Sequence, residues 1–241
     1  MKIPPRKSDT FDLIGGYDFL WNEWVSRLYT ELKHETFTTG SQPETTTLML
    51  SWGGTMERTW TPDESAFPQS GHYWFFDASG SAGMVSDTAY FRAHVKTKHL
   101  FPLGERGRLI LRGEVGLASV SDFTKYPSSL RFYAGGDQSV RGYKYQDLGP
   151  LDADGDVIGG RNVLTGTVEY DYRFMDDWVA AAFVDAGNAF NDEIDKVFYA
   201  GGVGIRWLSP VGSVRLDVAV PVNPDDNMSS WRVHFGFGAE L

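Results

Sequence analysis

The chain has no cysteine among its 241 residues, which removes disulfides, thiolate catalysis and Cys-based metal sites together and suits an oxidising compartment. It also lacks any run near the roughly 18 apolar residues that a membrane helix needs. Basic residues are scarce: 22 Lys and Arg against 32 Asp and Glu leave a net charge of -10, which excludes the basic stripe of a nucleic-acid binder. Behind Met1-Lys2-Ile3-Pro4-Pro5-Arg6 there is no apolar core of a signal peptide. The expectation is therefore a piece of a longer chain, or a true beginning upstream.

Metal and catalytic patterns are thin as well. His34, His72, His94, His99 and His234 have no ligand spacing. Asp152-Ala153-Asp154-Gly155-Asp156 starts like a calcium loop, but Val157 and Val163 stand where that loop wants Gly and Glu, so a turn is expected and no metal. Gly201-Gly202-Val203-Gly204 opens no helix and is not a nucleotide loop. These small residues are expected to let chain pass close to a lumenal loop. No Ser/His/acid motif marks a nucleophile, so neither an enzyme nor a cofactor is expected.

What the sequence does have is aromatic side chains, 15% of residues, and 27 glycines. These come with strict alternation between turn signals, the pattern of strands. Val214, Leu216, Val218 and Val220 alternate with Arg215, Asp217 and Ala219. Trp231, Val233, Phe235 and Phe237 oppose Arg232, His234, Gly236, Gly238 and Glu240. Leu164, Val168, Tyr170, Tyr172 and Phe174 oppose Thr165, Thr167, Glu169, Asp171 and Arg173, and upstream Phe91, Ala93 and Val95 oppose Arg92, His94, Lys96 and Lys98. Roughly eleven or twelve strands follow, many near the length that crosses a bilayer when tilted. Trp21, Trp24, Trp60, Trp178, Trp207 and Trp231 crowd strand ends, where an interfacial girdle would sit. The fold class predicted is all-β: a transmembrane antiparallel β-barrel of the outer-membrane type occupying residues 1–241, with a soluble sandwich as the competing reading. One connection, about 121–161, is too long to be a plain turn.

Inside that connection stands Arg131-Phe132-Tyr133-Ala134-Gly135-Gly136-Asp137-Gln138-Ser139-Val140-Arg141-Gly142-Tyr143. The stretch from Gly135 to Tyr143 resembles the signature loop of the outer-membrane insertase and two-partner transporter superfamily, which includes BamA, TamA and the two-partner secretion transporters. Phe183-Val184-Asp185-Ala186-Gly187 resembles that family's barrel-wall motif, and Gly166-Thr167-Val168-Glu169 supplies a second matching carboxylate. The resemblance implies that 121–161 is an extracellular loop folded back into the lumen. Its lock would comprise Gly135, Gly136, Val140, Arg141, Gly142 and Tyr143 on the loop, with Glu169, Phe183, Asp185 and Gly187 on the wall. Alternation puts Phe183 and Asp185 on the same inner face, within reach of Arg141.

The resemblance further implies a lateral gate at the last strand, with Trp231, Phe235, Gly236, Phe237 and Gly238, and no cofactor. Arg131–Pro150 and the ending Phe235-Gly236-Phe237-Gly238-Ala239-Glu240-Leu241 are similar to the TamA branch. Location in the bacterial outer membrane follows, with lipid, client outer-membrane proteins and TamB as partners and autotransporters among the clients. The family barrel has about sixteen strands behind periplasmic POTRA domains. This chain shows fewer strands and no POTRA pattern, so truncation at the N-terminus is expected. A passive pore using Arg92, Lys96, Lys98 and Arg112, or a two-partner or patatin-fused barrel, is the alternative.

Overall fold

A computed structural model describes residues 7–62, 67–209, 212–225 and 230–238. Within them lies one sheet of eleven antiparallel strands, each paired with its sequence neighbour: β1 (Lys7–Trp21), β2 (Trp24–Thr38), β3 (Thr45–Trp60), β4 (Gly71–Ser81), β5 (Tyr90–Leu103), β6 (Gly107–Val120), β7 (Asn162–Met175), β8 (Trp178–Phe190), β9 (Phe198–Ser209), β10 (Gly212–Pro221) and β11 (Arg232–Gly238). Among the described residues β1 and β11 are the two edges of the sheet.

The alternation predicted from sequence is the alternation seen. Along β8 the outer positions, such as Ala182 and Val184, are exposed, while Val179, Ala181, Phe183 and Asp185 between them are buried. Exposed apolar side chains recur on the outer face of nearly every strand: Leu117, Leu164, Val168, Val203, Leu216, Val233 and Phe235 are all more than 40% exposed. A water-soluble sandwich would bury this face, whereas a barrel wall turns it to lipid. Core packing lies on the inner side instead, where Phe132, Val140, Tyr143 and Leu148 from 121–161 meet Val163, Ala189, Phe198 and Ala200 of the wall.

The two ends differ. At one end the connections are tight: Asn22 and Glu23, both at positive φ, join β1 to β2, as the two-residue turn that matches strand twist requires. Asp176-Asp177 joins β7 to β8. The long connections, 121–161 among them, leave the opposite end, except for the ten residues 61–70 between β3 and β4 at the tight-turn end. Trp21, Trp24, Trp60, Trp178 and Trp207 gather at the tight-turn end, and Trp231 at the other. Trp231 just precedes β11 and is not part of it, a correction to the gate strand predicted from alternation, because backbone pairing with β10 begins only at Arg232 opposite Ala219. The terminal Ala239-Glu240-Leu241 of the same prediction lies outside the described residues, as do Met1–Arg6, Pro210, Val211 and Asp226.

Residues 121–161 are tied down along their length. Glu35 of β2 is buried and accepts from Ser128 Oγ (2.7 Å), Ser129 Oγ (2.5 Å) and Ser129 N–H (3.3 Å). Arg131 donates to the carbonyls of Tyr126, Ile158 and Phe123 at 2.9–3.1 Å and lies over the Phe123 ring. Phe132 and Gly160 exchange backbone hydrogen bonds, as do Ala134 and Leu148. These bonds provide for a loop backbone that has no ladder of its own.

The Asp152 segment forms a turn. Its carboxylate accepts from the N–H groups of Asp154 and Asp156 and from the backbone and hydroxyl of Ser41 (2.8 and 3.0 Å) in the β2–β3 connection. The Ser41 and Asp156 N–H groups hold its pKa down at about 2. A depressed carboxylate pKa means that the contact is fully present above the ordinary value and is lost as pH falls through the folded one. In a detergent-solubilised sample the Ser41 amide resonance is therefore expected to titrate with a midpoint near 2. A midpoint in the ordinary Asp range, about 4, would show that the two connections are not stapled there.

Candidate functional site

The deepest polar cluster sits where the tip of 121–161 meets β7–β11. Arg141 is 2% exposed and Asp185 is fully buried. The Arg141 guanidinium grips Asp185 with two bonds, Nε to Oδ2 (2.8 Å) and Nη2 to Oδ1 (2.9 Å), and the Arg141 backbone N–H donates to Oδ2 as well (3.0 Å). Nη1 reaches Glu169 (2.8 Å) and Asp217 (3.2 Å). Its carbon centre lies 3.3 Å from the Phe183 ring centroid, and Thr167 Oγ1 donates to Asp185 Oδ1 at 2.8 Å. Planar, bidentate pairing of this kind is what arginine does and lysine cannot.

One cation cannot neutralise three buried carboxylates. Arg206, 1% exposed, bridges the other two, donating to Glu169 (2.9 Å) and to Asp217. Arg112 stands 3.9 Å from Glu169. Three guanidiniums thus face three carboxylates, and a buried network needs that balance to be tolerable.

The fold supplies these positions through its register. Thr167 pairs with Asp185, Glu169 with Phe183, Phe183 with Gly202, and Gly204 with Asp217, so the charged groups form one inner row across four strands. The glycines of β9 are part of this. A Cβ at Gly202 would collide with the Phe183 ring, and one at Gly204 with the Asp217 carboxylate. Gly202 and Gly204 thus make room for wall side chains, a role beyond the expected close passage of chain beside the loop. It is Gly142, at φ +93, whose own Cβ position lies 3.3 Å from Ala200 Cβ and 3.1 Å from Pro221 N. A left-handed backbone there turns the chain immediately after Arg141.

The remaining sequence-predicted residues fall around this centre. Gly135 and Gly136 form the turn closed by Ser139 N–H on Gly136 O and Gly136 N–H on Val140 O, both 3.3 Å. Val140 is fully buried. Tyr143 Oη donates to Tyr199 O at 3.2 Å, and burial pushes its phenol up to about 12, keeping it a neutral donor. Gly187 pairs with Thr165 above the cluster. Gly142 N–H donates to His234 Nε2 (3.1 Å), joining the loop tip to β11. Phe235 and Phe237 point outward, 70% and 59% exposed, while Gly236 packs its open face on the Arg215 guanidinium, and Gly238 pairs with Ser213.

Sequence reasoning missed Arg206 and Asp217 as members of the lock. It also missed a second buried pair at the tight-turn end: Arg108, 1% exposed, donates to Asp171 (2.8 and 3.1 Å) and to Pro68 O (2.7 Å) and stacks on Phe67. The available signal was the placement of Arg108, Asp171, Arg206 and Asp217 at inner positions of strands, where any charge requires a countercharge.

Comparison with known proteins gives consistent neighbours. The family profile of the Omp85 superfamily domain matches residues 23–241. The outer membrane protein assembly factor BamA of Nitratidesulfovibrio vulgaris is 33% identical over 122 residues, 46% of this chain and 15% of that protein. The factor of the same name from Neisseria meningitidis serogroup B is 28% identical over 191 residues, 63% of this chain and 24% of that one. The chain thus spans a quarter or less of these curated relatives. Among solved structures, BamA from Haemophilus ducreyi lacking POTRA domains 1–3 superposes with a TM-score of 0.81 at 16% identity, over 97% of this chain and 55% of that one. CdiB from Acinetobacter baumannii gives 0.62 at 14% identity, over 96% and 42%.

Proposed function

Since the chain belongs to the Omp85 superfamily of bacterial outer-membrane β-barrels, we propose that it is the barrel part of an outer-membrane protein assembly factor, which adds client strands at β11. The observation that carries this reading is the Arg141 lock, which joins the tip of 121–161 to Glu169, Asp185 and Asp217 and, through Gly142, to His234 of β11. In this reading 121–161 is an extracellular loop folded into the lumen, because long loops face outward and short turns face the periplasm in such barrels. Locking it stiffens the wall next to the edge strand.

The β11 edge is then free to offer backbone donors and acceptors to an incoming strand, the chemistry of β-augmentation. Gly236 and Gly238 within it weaken its own pairing. The TamA-like form of this reading, with TamB in the periplasm and autotransporters as clients, rests on the sequence of Arg131–Pro150 and of the chain end.

The passive-pore reading is less well supported. Two of the inner-face bases it would use face carboxylates, Arg92 with Asp77 and Lys96 with Glu114, and 121–161 packs on the inner side of the wall. The test is a liposome assembly assay with a single cysteine at Phe235, clean because the chain has no other cysteine. Disulfide capture of a client's terminal strand, dependent on client folding, is expected. Steady conductance with no capture would favour the pore instead.

A further inference from the structure

Period-two alternation should place charged groups inside the sheet, yet on β3, β4 and β5 three ionisable side chains point the other way. Arg58 shares the outer face with Met56 and Trp60, His72 with Trp74 and Phe76, and His99 with Phe101. A cation or imidazole facing lipid is costly unless it has a function or reaches the interface. These groups cluster at the tight-turn end, where Trp24, Arg58, Trp60, His72 and Trp74 line a recess of about 400 Å³. Farther along the same outer wall is an apolar groove of about 340 Å³, bordered by Phe19, Leu28, Met56 and Phe76. Phe76 packs on Trp24 (5.7 Å) and Trp74 (5.8 Å) and so stands between recess and groove.

The hydrogen bonds fix the chemistry of the recess. Thr97 Oγ1 donates its one proton to Tyr73 O (3.2 Å), so it accepts from His99 Nε2 (2.6 Å). His99 Nδ1 is then the acceptor for His72 Nδ1–H at 2.9 Å. His72 Nε2 is left outside this relay, on a ring that lines the recess and stacks on Trp60 at 5.5 Å. On the other flank Arg58 is ion-paired with Glu23, which sits at the tip of the β1–β2 turn and is largely exposed. A cation, an imidazole and indole faces therefore line one recess, with the Glu23 carboxylate paired to its Arg58, and Phe76 stands between it and an acyl-chain-sized groove.

We propose that this recess and groove bind one phosphatidylethanolamine of the periplasmic leaflet. The phosphate sits on the Arg58 guanidinium, the ammonium inserts between Glu23 and the Trp rings beside the His72 Nε2 lone pair, and an acyl chain lies along the groove. A zwitterion fits because it supplies a partner to each half of the Arg58–Glu23 pair at once. Charge-assisted bonds hold the phosphate, and indole faces attract an ammonium. Basic recesses at a membrane interface are where lipid headgroups are held.

Native mass spectrometry of the full chain, folded in detergent and exposed to equal amounts of phosphatidylethanolamine and phosphatidylglycerol or to inorganic phosphate alone, tests this. One retained phosphatidylethanolamine per chain is expected, in preference to phosphatidylglycerol, with no comparable retention of phosphate. Arg58→Gln should lower retention of both lipids about tenfold, the loss of one charge-assisted bond. Glu23→Gln, in an exposed turn where folding is not at stake, should erase the preference for ethanolamine and leave phosphatidylglycerol unchanged. Equal retention of the two lipids by the unaltered chain, or an undiminished preference in Glu23→Gln, overturns the proposal. Phosphate retained as strongly as lipid also overturns it, by making the recess an ion site.

Discussion

Arg141→Ala is expected to free the tip of 121–161 and to destabilise the folded barrel by about 3–5 kcal/mol, the cost of leaving a buried charge uncompensated. The expected loss exceeds that of one hydrogen bond because three carboxylates share this guanidinium. Asp185 loses both side-chain donors from Arg141 and keeps only Thr167 and the backbone N–H at position 141. Glu169 and Asp217 retain Arg206 alone as a close partner. Protease cleavage within 121–161 should become fast, and client assembly in liposomes should fall. Arg141→Lys keeps the charge but loses the planar fork and the stacking on Phe183, so it should recover only part of both. Unchanged protease resistance together with unchanged assembly would sink the role proposed for the lock.

The double variant Arg141→Met with Asp185→Leu separates two contributions. If the pair serves only to neutralise itself, apolar replacement of both members restores much of the stability. Assembly should nevertheless stay low, because Asp185→Leu also removes the acceptor of the backbone N–H at position 141, which holds the chain just before Gly142 N–H meets His234 of β11. Recovery of stability without recovery of assembly is the expected pattern.

Legibility in the sequence followed physical range. Strands such as β7 and β8 could be read because each outer position meets lipid and each inner one meets packed chain, so a period of two is imposed residue by residue. The pairing of Arg141 with Asp185 and Glu169 could be proposed because the motifs carrying them resemble a known family, and alternation put both carboxylates on the inner face. Arg206 and Asp217 escaped because their roles depend on which residues stand side by side across β7, β9 and β10. That register is a property of the whole sheet. Arg58, His72 and His99 escaped for the opposite reason: they break the alternation, and a rule of averages assigns such residues inward. Trp231 was read one position too far into β11 because an outward aromatic just outside a strand looks the same as one inside it.

The second large effect is expected at the other end of the barrel. Phe67 and Pro68, from the connection between β3 and β4, lie against the inner wall, with the Arg108 guanidinium 3.4 Å from the Phe67 ring centroid and Arg173 at 5.4 Å on the same ring. Arg108 binds Pro68 O and Asp171 together, so a single side chain ties this connection to β6 and β7. Arg108→Ala removes that tie and strands Asp171, which is 1% exposed and already has one oxygen, Oδ1, without a hydrogen-bond partner among the described residues. A loss of about 3–5 kcal/mol is expected, matching that at Arg141 although no loop tip is involved. A cysteine at Gln69 reports the local consequence, since it is the only thiol in the chain. Maleimide labelling from the tight-turn side should be slow with Arg108 present and at least roughly tenfold faster in Arg108→Ala, the factor that loss of one net hydrogen bond gives, with the lock at Arg141 still resistant to protease. Addition of Asp171→Leu to Arg108→Met should restore the melting temperature but leave labelling fast, because the carbonyl of Pro68 would still lack its donor. Equal labelling rates in all three proteins would mean that Phe67 is held by packing alone and that the two buried ion clusters do unequal work: one fastening a segment of chain, the other only balancing charge.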